Sequence, residues 1–184
     1  TDFRGGVLLA KLVIIRGNSG SGKTTVAKAL QHRLGHHVLL LSQDMVRREI
    51  LRVKDGPDCL ALPLMQQLLF YGYQHCAFTI VEGIFLSAWY EPFFRSAQAW
   101  FQDQIFAYYY DLPFAETLRR HQTKPNRDAF GAEDMQRWWI PHDYLPNIRE
   151  TIFTAQVSAD QAVEQILHDL SAPSAGACCR PASP

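Results

Sequence analysis

The sequence predicts an α/β domain built as a three-layer sandwich, with a parallel sheet of about five strands and a small helical lid. Three observations predict it. Short apolar runs alternate with amphipathic helical stretches along most of the chain. A glycine-rich segment, Gly17-Asn18-Ser19-Gly20-Ser21-Gly22, joins the first apolar run to the first amphipathic stretch. Finally, a basic stretch over residues 118–137 is interrupted by Pro125, Asn126 and Gly131, which suits a lid better than one long helix.

The elements follow in order. Residues 12–16 read as the first strand and Lys23–Leu34 as the helix after it, ended by Gly35. Val38–Ser42 is the second strand, followed by a helix from Met45 to about Val53. Residues 54–63, with Asp55-Gly56-Pro57-Asp58, carry turn chemistry and are expected to form an exposed loop. A helix bearing Leu64, Leu68, Leu69 and Tyr71 to Tyr73 precedes a third strand at residues 78–81, which ends in Glu82-Gly83. A helix over residues 91–99 leads to a fourth strand, Ile105–Tyr110. Asp111 and Pro113 open the next helix at a position proline tolerates. Residues 151–154 are the fifth strand, and Ser158 with Gln161 forms a capping box for a last helix over residues 159–170.

Length and composition bound the rest. With 184 residues and 47% hydrophobic content, the chain has room for one core and too little for two. One domain over residues 1–170 is expected. Residues 171–184, rich in proline, serine and alanine, cannot bury enough apolar surface to order and are expected to be a disordered tail. Lysine plus arginine equals aspartate plus glutamate at 18 each, so no global basic excess exists for duplex nucleic acid or anionic membrane. The cysteines at 59, 76, 178 and 179 lack paired metal-site spacing and disulfide density, which points to a reducing, cytoplasmic setting. The apolar run at 7–15 is broken by Lys11 and falls short of the roughly 20 residues needed to span a bilayer, so it reads as a strand.

The segment Gly17-Asn18-Ser19-Gly20-Ser21-Gly22-Lys23-Thr24 satisfies the P-loop pattern between a strand and a helix. Small residues let the backbone wrap a triphosphate, and amides at a helix start face phosphate oxygens. Residues 17 to 25 (Gly17, Asn18, Ser19, Gly20, Ser21, Gly22, Lys23, Thr24 and Thr25) therefore make the expected ATP site. Lys23 is expected to reach the β and γ phosphates and Thr24 to ligate Mg²⁺.

Carboxylates stand at two other strand ends. Asp44 follows the second strand, where the carboxyl edge of a parallel sheet faces the ligand crevice. It has two readings, which are compatible: the base for an acceptor hydroxyl, and the N-cap of the helix at Met45. Arg47, one turn on, shares its face and suits the acceptor or the phosphoryl group. Glu82 ends the third strand and is a second candidate for organising Mg²⁺, with a solvated strand-end glutamate as the plain alternative. In the basic stretch, Arg120 and Arg127 are the candidates for charge around the γ-phosphate, ahead of Arg119, against the alternative of a solvated helix face. His121, without a partner at ligand spacing, reads as a surface or capping residue. Most aromatics between Phe70 and Tyr144 read as core, with Trp138, Trp139, His142 and Asp143 placed to close over the site.

On these residues the chain resembles the P-loop kinase group that includes polynucleotide kinases, zeta-toxin-like kinases, chloramphenicol phosphotransferase and uridine-kinase-like proteins. The resemblance spans residues 12–170 and is specific at the P-loop, at Ser42-Gln43-Asp44-Met45-Val46-Arg47, and more loosely at Val81-Glu82-Gly83 and the basic segment. An Asp-x-x-Arg pair after the second strand implies the base role for Asp44 and an acceptor-side role for Arg47. Ile80-Val81-Glu82-Gly83, and Phe114 to His121 followed by a proline-interrupted lid, also resemble small bacterial proteins usually called uridine kinases or AAA-family ATPases. No second, phosphatase domain and no strongly basic channel is expected, which favours a small-molecule acceptor.

The expected function is transfer of the γ-phosphate of ATP, with Mg²⁺, to a hydroxyl of a small nucleoside or antibiotic-like acceptor. The alternatives are 5′-hydroxyl phosphorylation of a polynucleotide, zeta-toxin-like phosphorylation of a nucleotide sugar, and, in another class, a non-catalytic nucleotide switch. The absence of an Asn-Lys-x-Asp tetrad in the sequence disfavours a guanine-reading switch.

Overall fold

Five strands, β1 (Lys11–Gly17), β2 (Val38–Ser42), β3 (Phe78–Gly83), β4 (Ile105–Tyr110) and β5 (Glu150–Phe153), pair in parallel in the order β2-β3-β1-β4-β5. The structure is a computed structural model, and it describes residues 9–122 and 131–172. Register places Ser42 opposite Glu82 and Arg16 opposite Gly83, so the chemically loaded residues finish level at one edge.

The strands alternate their side chains between two apolar layers, as the period of two requires. Leu12, Ile14, Leu41 and Val81 pack with α2 (Ala61–His75) and α3 (Glu91–Phe101). Val13, Ile15, Ile80, Tyr108 and Tyr110 pack with α1 (Lys23–Leu34) and α6 (Ala159–Ser171). Both faces are thus covered, which explains the unbroken apolar run from Leu12 to Ile15 in β1. Two shorter helices, α4 (Phe114–His121) and α5 (Ala132–Trp138), lie on the side of the P-loop. Among the described residues no helix is long and apolar enough to cross a membrane.

Several expectations hold at the residue level. Gly35 ends α1 at φ +87°, and Ser158 and Gln161 exchange both capping bonds at α6. Others are corrected. The segment after β2 is a π-helix, Met45–Ile50, which ends short of Val53 because the chain turns at Arg52, in the left-handed region at φ +54°. The loop expected to Pro63 stops at Leu60, and α2 carries Pro63 in its first turn, where the missing N–H has no helical partner to lose. Strand β5 begins and ends one residue early, α3 continues to Phe101, and α5 was not foreseen. Ser171, the first residue of the expected tail, belongs to α6, while residues 173–184 lie outside the described residues.

Sequence reading missed one buried charge. Arg16, fully inaccessible in β1, donates to the Phe85 carbonyl at 3.1 and 2.7 Å, to Asp143 at its carbonyl (2.9 Å) and carboxylate (2.7 Å), and to Glu150 at 2.9 Å. The Phe94 and Tyr109 rings flank its guanidinium. Burial, the larger influence, pushes the Glu150 carboxyl up, and Arg16 pulls it back. A raised folded-state value means that ionising Glu150 costs stability as pH rises through it. Arg16→Met leaves the buried Glu150 side chain and the partly buried Asp143 without this cation, and should lower unfolding free energy by about 3–5 kcal/mol in urea titrations. The loss should shrink as pH falls, since burial already pushes the Glu150 carboxyl up and protonation discharges the carboxylate left without its cation.

Candidate active site

The P-loop leaves β1 at the centre of the sheet, where neighbouring strands run to opposite sides and a crevice opens at the carboxyl ends. Its bends need glycine. Gly17, Gly20 and Gly22 lie at φ +139°, +85° and +100°. A methyl on Gly20 would stand 2.4 Å from the Thr117 carbonyl oxygen, so α4 packs directly on the loop.

Inside the loop Lys23 is buried and its ammonium donates to the Asn18 carbonyl at 2.8 Å and the Ser21 hydroxyl at 3.2 Å. The loop thereby curls around its own lysine. The Asn18 side chain points elsewhere: it donates to the Ile140 carbonyl at 2.7 Å and accepts from the Ile140 amide at 3.0 Å. Both ends of the Asn18 side-chain amide are thus engaged with the Ile140 peptide groups. The clasp fastens the start of the loop to the segment after α5, and Arg16 fastens the same segment at Asp143.

Thr24, at the first turn of α1, donates its hydroxyl to Glu82 Oε2 at 3.1 Å. Glu82 Oε1 accepts from Ser42 Oγ at 2.5 Å. The β2, β3 and α1 termini so converge on one buried carboxylate. Thr24, by donating its proton to Glu82, keeps lone pairs on Oγ1, and the set of hard oxygens suits Mg²⁺, which binds through one or two protein oxygens plus phosphates and water. Among the described residues no group of three or more His, Cys, Asp or Glu side chains is arranged to hold a metal ion.

Asp44 is two residues beyond Ser42 at the same edge and exposed. Its backbone is helical and its side chain makes no capping bond, so the N-cap reading is not borne out. Instead Arg47 pairs with it at 2.9 Å and Arg48 at 3.3 Å. Exposed pairs of this kind contribute only about 0–1 kcal/mol, so the carboxylate is easily exchanged toward another partner. Arg47 is mostly covered, with Asp55 3.9 Å from its Nε.

Arg120 reaches the loop as well. Its guanidinium donates to the Ser21 carbonyl at 3.0 Å, to Ala155 at 3.2 Å and to Glu116 at 2.6 Å. Hydrogen bonds from Arg119 and Arg120 hold the Glu116 carboxyl down at about 2. That stabilisation is present above the ordinary carboxylate range and is lost as pH falls through about 2. Arg119 is exposed on Glu116 and does not touch the loop. His121 is buried rather than at the surface. Arg127 lies outside the described residues. Of the residues expected to close over the site, Asp143 is held by Arg16 and Ser87, His142 meets Asp111, and Trp139 packs edge-on to Phe114. Gln43, between Ser42 and Asp44, is buried, a placement the sequence reading did not foresee because a lone glutamine carries no motif signal.

No family model matches the chain, and no curated protein sequence does. Solved structures do. The Mycobacterium tuberculosis APS kinase CysC, solved with AMPPNP and APS, superposes with a TM-score of 0.63 at 20% identity, covering 89% of this chain and 98% of that one. A gluconokinase from Sinorhizobium meliloti gives 0.59 at 14% identity, covering 89% and 93%. A shikimate kinase from Bacteroides thetaiotaomicron gives 0.55 at 14% identity, covering 88% and 99%. The sheet order, the glycine-shaped loop and these likenesses together give the chain the fold of the small P-loop kinases.

Proposed function

We propose that the chain is a kinase that transfers the γ-phosphate of ATP to a hydroxyl group of a small molecule. One observation carries the reading. A lysine-centred phosphate loop, a buried carboxylate bridging Thr24 and Ser42, and an exposed carboxylate at Asp44 share one sheet edge. Phosphoryl transfer asks for those three parts: a cradle for charge, a hold on the metal, and a proton acceptor beside the incoming oxygen.

In this scheme the loop amides and Lys23 bind the triphosphate, and Arg120 stiffens the loop through Ser21. Thr24 and Glu82 would hold Mg²⁺, which when bound would supply charge neutralisation at the phosphates. Asp44 exchanges its arginine partners for the acceptor hydroxyl, orients it, and takes its proton as the oxygen bonds to phosphorus and ADP leaves. Arg47 stays beside the acceptor. A small acceptor is favoured over nucleic acid by the balance of 18 basic against 18 acidic residues.

The test is a panel of nucleosides, hydroxylated antibiotics, small hydroxy acids and 5′-hydroxyl oligonucleotides incubated with γ-labelled ATP and Mg²⁺. Label should appear on one class of small acceptor. Label confined to oligonucleotides, with binding that weakens steeply in salt, would replace the small acceptor with a polynucleotide. ATP binding with no transfer to any member would favour a nucleotide switch.

A further inference from the structure

Phe85 is fully buried, yet its backbone sits in the left-handed region at φ +46°. A bulky residue rarely adopts that conformation, and it persists only where surroundings over-determine it. Here both its peptide groups are held by side chains. The Phe85 amide donates to Gln43 Oε1 at 3.1 Å, and the preceding Ile84 amide donates to the same oxygen at 2.9 Å. The Phe85 carbonyl accepts two bonds from Arg16.

The sheet order explains the geometry. Gln43 follows β2, Phe85 follows β3, and Arg16 is the last residue but one of β1, so two neighbours grip the turn between them. Gly83 makes the approach possible, because a methyl there would lie 2.5 Å from Gln43 Oε1 and 2.6 Å from its Cβ. The other end of the Gln43 amide donates to Asp55 at 3.2 Å, and Asp55 in turn accepts from Tyr90 at 2.6 Å. Gln43 is thus bonded at both ends of its amide, in a site where either unmade bond would be costly.

We infer that Gln43 is a positioning residue for Glu82, acting through the strained turn Gly83-Ile84-Phe85, with Arg16 as the fixed jaw opposite it. Releasing the turn lets the end of β3 relax, and Glu82 then loses its simultaneous reach to Thr24 and Ser42. Gln43 also sits between Ser42 and Asp44, so one side chain sets the spacing of the metal-side and acceptor-side carboxylates. This rests on the proposed role of Glu82 and Thr24 toward Mg²⁺.

The experiment reads Mg²⁺-dependent ATP binding by calorimetry in the absence of any acceptor, so it does not depend on transfer. Gln43→Leu should raise the half-saturating Mg²⁺ concentration about tenfold or more and leave Mg²⁺-free ATP affinity within about threefold, as loss of a residue that orients a metal's ligands does. Gly83→Ala, which pushes the glutamine off the turn without removing it, should shift Mg²⁺ dependence in the same direction and carries the test if Gln43→Leu does not fold. The pair Gln43→Glu with Asp55→Asn, which keeps the oxygen on the turn and reverses the bond to residue 55, should restore Mg²⁺ dependence to near the unaltered value. Lowered Tm in folded variants with unmoved Mg²⁺ dependence would overturn the inference and leave Gln43 a stabilising residue only. ATP binding by the unaltered chain that is indifferent to Mg²⁺ would overturn it together with the metal role of Glu82.

Discussion

Asp44→Asn is expected to bind MgATP within about threefold of the unaltered chain and to transfer phosphate about 10²–10⁴-fold more slowly, the range lost with a general base. Asparagine keeps the shape and a carbonyl oxygen for Arg47, so the local pairing loses charge without losing geometry. It cannot take the acceptor proton. The side chain is exposed and caps no helix, so folding should barely notice the change. Steady-state transfer and ATP titration on the same preparation separate the two effects. Equal transfer by both proteins would return Asp44 to an arginine-pairing role and leave the acceptor side without a base.

Lys23→Ala is expected to damage both steps, lowering transfer by about 10²–10³-fold or more and weakening ATP binding, because a charge aimed at the transferring group is removed. Its ammonium lies on the Asn18 carbonyl and the Ser21 hydroxyl. Removing it therefore leaves the loop's own oxygens without their buried donor and slackens the curve that presents the amides. The combined loss should exceed what one exposed charge would cause. Retained ATP affinity with lost transfer would mean that the amides alone bind the nucleotide and that Lys23 acts only as the phosphoryl group moves.

The comparison of these two residues shows what a sequence can carry. The P-loop was legible because glycine, lysine and threonine at fixed spacing have one physical use between a strand and a helix, and the structure places them so. Strand β2, α1 and β4 were legible to the residue because their apolar runs end at strong stops. Asp44 and Glu82 were legible as strand-end carboxylates, and register sets Glu82 level with Ser42.

What the sequence hid were contacts between residues far apart in number. Arg16 looked like the last residue of an apolar strand, and nothing local says that its partners are Asp143 and Glu150, more than a hundred positions away. The Asn18 side-chain clasp on Ile140 is hidden for the same reason, since its partner lies more than a hundred positions away. The π-helix after β2 was hidden by its short length, since six residues do not distinguish a helical period from its wider relative. Arg47 and Arg48, three and four residues on, both reach the Asp44 carboxylate there, as helical spacing allows.

A crystal structure with Mg²⁺ and a non-hydrolysable ATP analogue measures the decisive geometry. The β and γ phosphates should lie against the amides from Gly20 to Thr24, with Thr24 Oγ1 on the metal and the Asp44 carboxylate facing the far side of the terminal phosphorus, one alcohol's width away. An analogue bound elsewhere, or Asp44 turned from the phosphorus while Arg47 and Arg48 still hold it, would contradict phosphate transfer at this edge.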